Sequence, residues 1–144
     1  MRGNTKLRSG YDKTQMDDPK AIDAYLQSLR PVVSPRLVNG EFSAAAVRGK
    51  KVFSEAGCAS CHSGKNFSNL EQYDVGTGEG REKDTRFDTP SLNEGWRNAP
   101  YLYDGRALTF EEVLTTYNKK GKHGETSQLT NEQLADLVEY LESI

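Results

Sequence analysis

The chain has 144 residues, a formal net charge of −2 and 35% hydrophobic residues. This length favours one domain with its own core. The slightly acidic balance argues against nucleic acid as a partner, because nucleic-acid binding needs a basic surface. No run of 18 apolar residues occurs, so we expect no membrane-spanning helix.

The first forty residues are predicted to be an N-terminal extension with one short helix. Residues 1–16 are polar and non-periodic, which indicates a loop, and they contain no apolar segment of the kind found in signal peptides. Asp18-Pro19 is a typical helix start, and Pro31 must end that helix near Arg30. Proline-rich residues 31–35 then form an extended linker. The sequence therefore predicts an extension over 1–40 and a second domain over 41–144.

A second helix is predicted from Ala44 to Ala56, with Ser43 as its N-cap and with Val47, Val52 and Phe53 directed toward a core. Gly49 in the middle of this helix costs about 1 kcal/mol relative to alanine. We expect the close approach of another helix to offset this cost.

Cys58-Ala59-Ser60-Cys61-His62 follows directly after Gly57. Cys-x-x-Cys-His is the attachment motif of a c-type haem, in which the two thiols bind the porphyrin edge and the histidine binds the iron. A zinc site would need more ligands than the remaining His123 can supply. A thioredoxin-like pair would be preceded by a strand and followed by a long helix. We therefore predict one covalent haem c through Cys58 and Cys61, with His62 as proximal iron ligand.

Haem c is attached outside the cytoplasm, which predicts a periplasmic or extracellular protein. The given sequence begins without a recognisable signal peptide, and its first forty residues resemble a linker between domains. We therefore expect the sequence to be the end of a longer exported chain.

Residues 63–88 are polar and glycine-rich and are predicted to be a surface loop. They do not form a phosphate-binding loop, because no strand precedes the glycines and no Lys-Ser or Lys-Thr follows them. The next segments, 88–92 and 98–101, are turn-forming, and we expect Leu92, Trp96 and Tyr101 to be buried anchors. Three residues of this region are predicted to contact the haem: Pro90, Trp96 and Tyr101.

Two capping boxes predict the last helices. Thr109 and Glu112 begin a helix that extends through Tyr117, and residues 118–128 follow as a loop. Thr130 and Gln133 begin the final helix, whose apolar stripe contains Leu134, Leu137, Val138 and Leu141.

This arrangement resembles class I cytochrome c, which implies an all-α fold with long irregular loops around one haem. In that fold the first and last helices cross, and Gly49 and Phe53 against Tyr140 would fit the crossing. A closer resemblance is to the C-terminal haem domain of the bacterial di-haem cytochrome c peroxidase family, which includes enzymes that mature methylamine dehydrogenase. The matching segments are 46–53, the haem motif, 87–92, 99–106 and 137–141.

Two departures from that family bear on function. The family usually has histidine where this chain has Tyr103, and its peroxidases need a second haem, which a single Cys-x-x-Cys-His motif cannot bind. We therefore expect an electron-transfer domain that serves a redox partner protein or a fused domain. The alternatives are the haem-bearing part of a peroxidase-like oxidoreductase and a module in which the haem mainly holds the fold.

The identity of the distal iron ligand separates these functions. Met1 and Met16 precede the linker, and Tyr117 matches the position where the family has its distal ligand, although it also fits the apolar face of its helix. His123 is the only histidine outside the haem motif. We favour His123 as the distal ligand, with Tyr117 or an open site as the alternatives.

Overall fold

The computed structural model describes residues 17–144. The predicted loop over 1–16, with Met1 and Met16, lies outside them. The chain divides into two compact units between Pro31 and Val32, and the predicted domain division between residues 40 and 41 stays a prediction.

The first unit contains helix α1 (Asp17–Ser28). It begins one residue before the predicted cap Asp18 and ends two residues before Arg30. The Arg30 side chain explains the end, because its guanidinium donates to the carbonyls of Gln27, Ser28 and Leu29.

The second unit is built on two long helices, α2 (Ala44–Glu55) and α4 (Asn131–Ser143), with the short helix α3 (Phe110–Leu114) beside α4. Strands β1 (Gln72–Tyr73) and β2 (Phe87–Asp88) pair antiparallel, with Tyr73 opposite Phe87. The short 3-10 helices are Cys58–Ser60, Gly80–Glu82 and Gly95–Arg97. This is the predicted all-α cytochrome c fold, in which loops form most of the chain between α2 and α4.

Helices α2 and α4 cross at Gly49. A Cβ atom on Gly49 would overlap the carbonyl oxygen of Asp136 and lie 2.9 Å from Cβ of Tyr140, so only glycine permits this approach. The neighbouring Arg48 forms two charge-assisted hydrogen bonds to the Asp136 carboxylate, at 2.6 and 2.7 Å. Phe53 packs edge-to-face on Tyr140 with ring centroids 5.4 Å apart. The predicted crossing is confirmed.

The core lies between these helices and α3, and Leu137 at its centre is fully buried. Val52 and Phe53 are buried as expected, but the predicted core position of Val47 is wrong, because this side chain is 58% exposed. Ala46, Gly49 and Phe53 define the face of α2 that meets α4, and Val47 follows Ala46 by about 100° around the helix. The core cluster comprises Ala46, Val52, Phe53, Phe110, Leu114, Leu137, Tyr140 and Leu141.

Three of the predicted capping residues are confirmed, and helix α3 is shorter than predicted. Ser43, Thr109 and Thr130 each accept a hydrogen bond from a backbone amide in the first turn of their helices. Helix α3 ends at Leu114 rather than Tyr117, because the amide of Tyr117 bonds the carbonyl of Glu112, five residues back. The chain then turns inward at Asn118, which is buried. Across residues 17–144, no helix has the length and apolar character to cross a membrane.

Candidate haem site

The haem motif begins where α2 ends. Gly57 has φ +79°, a left-handed conformation that glycine adopts without steric cost and that redirects the chain after the helix. Residues 58–60 form one 3-10 turn, and the amides of Cys61 and His62 both donate to the carbonyl of Cys58. Both cysteines are unpaired and half-buried. Burial raises the pKa of the Cys58 thiol to about 11.

His62 is oriented by the carbonyl oxygen of Phe67, which lies 3.1 Å from its Nδ1. A carbonyl only accepts, so Nδ1 carries the proton. Burial lowers the pKa of His62, although hydrogen bonds to backbone carbonyls act in the opposite direction. The neutral imidazole therefore has its lone pair on Nε2, as an iron ligand requires.

The motif opens onto a cavity of about 730 Å³. Six of the residues predicted to form the site line it: Cys58, Cys61, His62, Pro90, Tyr101 and His123. Tyr101 is held by stacking on Phe110, with ring centroids 4.5 Å apart, and by donating its hydroxyl to the carbonyl of Gly95 at 2.8 Å.

His123 faces His62 across this cavity. Their ring centroids are 6.2 Å apart and the ring planes are inclined at 44°. A metal–imidazole bond is about 2 Å long, so two such bonds and the halves of two rings account for this separation. Burial, with a smaller effect of the neighbouring His62, lowers the pKa of His123 to about 4. Its Nδ1 is buried and has no hydrogen-bond partner among residues 17–144. Burial thus favours the neutral form of both histidines, whose rings lie 6.2 Å apart at the same cavity.

Tyr117 does not line this cavity. It lies in an adjoining cavity of about 220 Å³, and its hydroxyl donates to the carbonyl of Arg106 at 3.0 Å. Trp96 does not line the large cavity either, and its Nε1 is buried without a partner in the described chain. The expected anchors Leu92, Trp96 and Tyr101 are all half-buried.

One wall of the cavity is formed by a segment that the sequence did not predict to be part of the site. Tyr73, Val75 and Thr77 line it, although they fall in the segment predicted to be a surface loop. Thr77 is only 5% exposed. Their alternation at every second position is the signal for an extended segment with one buried face, and the glycines that follow obscured it.

Arg106 fixes this wall. Its guanidinium donates to the carbonyl of Thr77 and to the hydroxyl of Tyr103, and it forms an ion pair with Asp104. Tyr103, which also lines the cavity, stacks on Phe87 with ring centroids 4.8 Å apart. The loops before and after β2 are thereby joined into one surface.

The residues present fit a c-type haem. The cavity has a predominantly apolar lining, as a porphyrin requires. Two thiols stand at one edge, and a neutral imidazole is available on each side. Fold and site together define a cytochrome c domain that binds haem.

Residues 46–144 match the cytochrome c family, and the chain belongs to that family. It is 30% identical over 122 residues to methylamine utilization protein MauG of Methylorubrum extorquens, with 70% of this chain and 35% of that protein covered. It is 31% identical over 152 residues to cytochrome-c peroxidase IdrP1 of Denitromonas iodatirespirans, with 71% and 40% covered. These relatives confirm the resemblance to the haem domain of the di-haem peroxidase family.

Among solved structures, hydrazine synthase of Kuenenia stuttgartiensis matches with a TM-score of 0.74 and 29% identity, over 87% of this chain and 54% of that one. The chain thus spans well under two thirds of the length of these proteins. Membership of the family implies a covalently bound haem c.

Proposed function

We propose that this domain is a mono-haem c-type cytochrome that carries single electrons. In this proposal Cys58 and Cys61 would hold the haem covalently, and His62 and His123 would ligate its iron. The observation that carries the proposal is the pair of neutral imidazoles separated by 6.2 Å across the cavity. The haem supplies the one-electron chemistry when bound, and the protein supplies binding, orientation and exclusion of water.

Two histidine ligands would favour electron transfer over chemistry on the iron, because they would leave it closed to a substrate. Pro90 and Tyr101 pack against the haem in this proposal, since both line the cavity. Trp96 is half-buried and does not line the cavity, so the proposal gives it no direct contact with the haem.

A peroxidase-like activity is the second candidate, and it is favoured by the relative named cytochrome-c peroxidase. It requires a distal site that is open or bound by Tyr117. Against it stand the hydroxyl of Tyr117, which donates to the Arg106 carbonyl, and the presence of a single haem motif. We also propose an exported protein, periplasmic or at the cell surface, whose electrons go to or come from a redox partner protein or a fused domain.

The test is the absorption spectrum of the holoprotein, with carbon monoxide as a probe of open iron. We expect a low-spin wild-type spectrum that carbon monoxide does not change. His123→Ala should give a high-spin or water-ligated iron that binds carbon monoxide.

Tyr117→Phe is the matched control and should leave the spectrum almost unchanged. If Tyr117→Phe removed the sixth ligand while His123→Ala had no effect, the enzymatic function would be the better proposal.

A further inference from the structure

We infer that Asn118 is the positioning residue for the distal ligand: it holds the backbone of His123 so that the imidazole stays on the iron. The inference rests on the proposed function, because it assumes His123 ligation. The segment concerned is the distal loop, defined as residues 118–126.

Asn118 binds both backbone groups of His123. Its Oδ1 accepts from the His123 amide at 2.9 Å, and its Nδ2 donates to the His123 carbonyl at 3.1 Å. The same Nδ2 lies 2.9 Å from the carbonyl of Gly124 and from Oγ1 of Thr126. Asn118 is only 6% exposed, so water does not compete for these bonds. One side chain therefore replaces the regular backbone pairing that this loop lacks.

The distal loop has two further anchors on the rest of the domain. Oγ1 of Thr126 donates to the carbonyl of Leu114, the last residue of α3, at 2.6 Å. The amide of Glu125 donates to the carbonyl of Ala56, two residues before Cys58, at 2.9 Å. A Cβ atom on Gly124 would lie 3.5 Å from Sγ of Cys58. Asn118 thus connects His123 to a loop that is anchored at the end of α3 and at Ala56.

The side chain at position 118 must both accept and donate. It accepts from the His123 amide and donates to the carbonyls of His123 and Gly124, and the asparagine amide group can do both. Alanine would leave the His123 amide and carbonyl without this partner, and such unpaired groups favour alternative loop conformations. In those conformations the imidazole leaves the iron. Loss of Asn118 should therefore change the spectrum of the bound haem as well as the melting temperature of the protein.

The experiment compares Asn118→Ala with wild type and His123→Ala as holoproteins. We expect a mixture of low-spin and high-spin iron in Asn118→Ala, and carbon monoxide binding increased roughly tenfold or more, which corresponds to the loss of a buried hydrogen bond. Added imidazole should restore the low-spin spectrum, because it replaces the displaced ligand.

Ser34→Ala is the matched control. Ser34 is equally buried, at 5% exposure, and its hydroxyl donates to the carbonyl of Glu142 at 2.5 Å, but it does not line the cavity. This variant should lower the melting temperature and leave the spectrum unchanged. If Asn118→Ala yields no folded protein, Thr126→Val, which removes one partner of Asn118, should shift the spin state in the same direction by a smaller amount.

A spectrum of Asn118→Ala identical to wild type, in a protein whose iron His123→Ala opens, overturns this inference and leaves the proposed function intact. If His123→Ala leaves the spectrum unchanged, both the distal assignment and the role of Asn118 fall.

Discussion

At the scale of single residues, burial determines the chemistry of the site. It lowers the pKa of both histidines and raises that of the Cys58 thiol, so it favours the uncharged form of all three side chains. Sequence spacing predicted Cys58, Cys61 and His62 as a group, because their roles follow from adjacency. The sequence offered His123 only as one candidate among several. Its position near His62 depends on how a loop some sixty residues along the chain folds back.

Gly49 leaves no room for a side chain, because a Cβ atom there would overlap the Asp136 carbonyl oxygen. We predict that Gly49→Ala destabilises the holoprotein by about 1 to 3 kcal/mol, because the new methyl group would push α4 away from its backbone contact. Thermal unfolding of the two holoproteins, wild type and Gly49→Ala, measures this loss of stability.

Val47→Ala on the exposed face of the same helix should stay within about 0.5 kcal/mol of wild type. Equal melting temperatures for both variants would mean that the crossing tolerates separation.

At the scale of elements, helix starts were predictable because capping is local. The boxes at Thr109 and Thr130 need only residues three positions apart. The end of α3 was not predictable, because there the Tyr117 amide bonds the Glu112 carbonyl, five residues back, and the regular helical pairing stops. The buried wall at Thr77 was not predictable either, because it depends on a hydrogen bond from the distant Arg106 guanidinium.

The cap of α4 gives a prediction for an element. Thr130 Oγ1 accepts from the Gln133 amide at 3.2 Å, and Gln133 Oε1 accepts from the Thr130 amide at 2.9 Å. Thr130→Ala should cost about 1 kcal/mol in unfolding free energy, whereas Thr130→Ser, which keeps the hydroxyl, should cost much less. Denaturant unfolding monitored by circular dichroism distinguishes them, and an equal loss in both variants would assign the effect to the methyl group.

At the scale of the whole molecule, the domain is organised around a cavity. Hydrophobic residues make up only 35% of the chain, and the apolar helix contacts are gathered on one side, between α2 and α4. A bound haem would add apolar contact to Val75, Tyr101 and Val113, which line the cavity.

We predict one covalent haem per chain. The mass of the denatured protein should exceed that of the polypeptide by a single haem, and acid acetone should fail to extract it. The double variant Cys58→Ser and Cys61→Ser should release its haem to acid acetone and melt at a lower temperature, because its loops lose their apolar contact. Extraction of haem from the wild type would contradict the covalent assignment.

The hydrogen bond between Glu125 and Ala56 connects the segment that carries the thiols to the segment that carries the opposite imidazole. The two sides of the cavity are therefore joined next to the haem motif, and not only through the distant crossing of α2 and α4. Iron that alternates between two oxidation states pulls on its ligands with different strength. If Cys58, His62 and His123 hold a haem as proposed, this hydrogen bond would keep the groups around the iron from moving far as each electron arrives and leaves, which would favour rapid electron exchange.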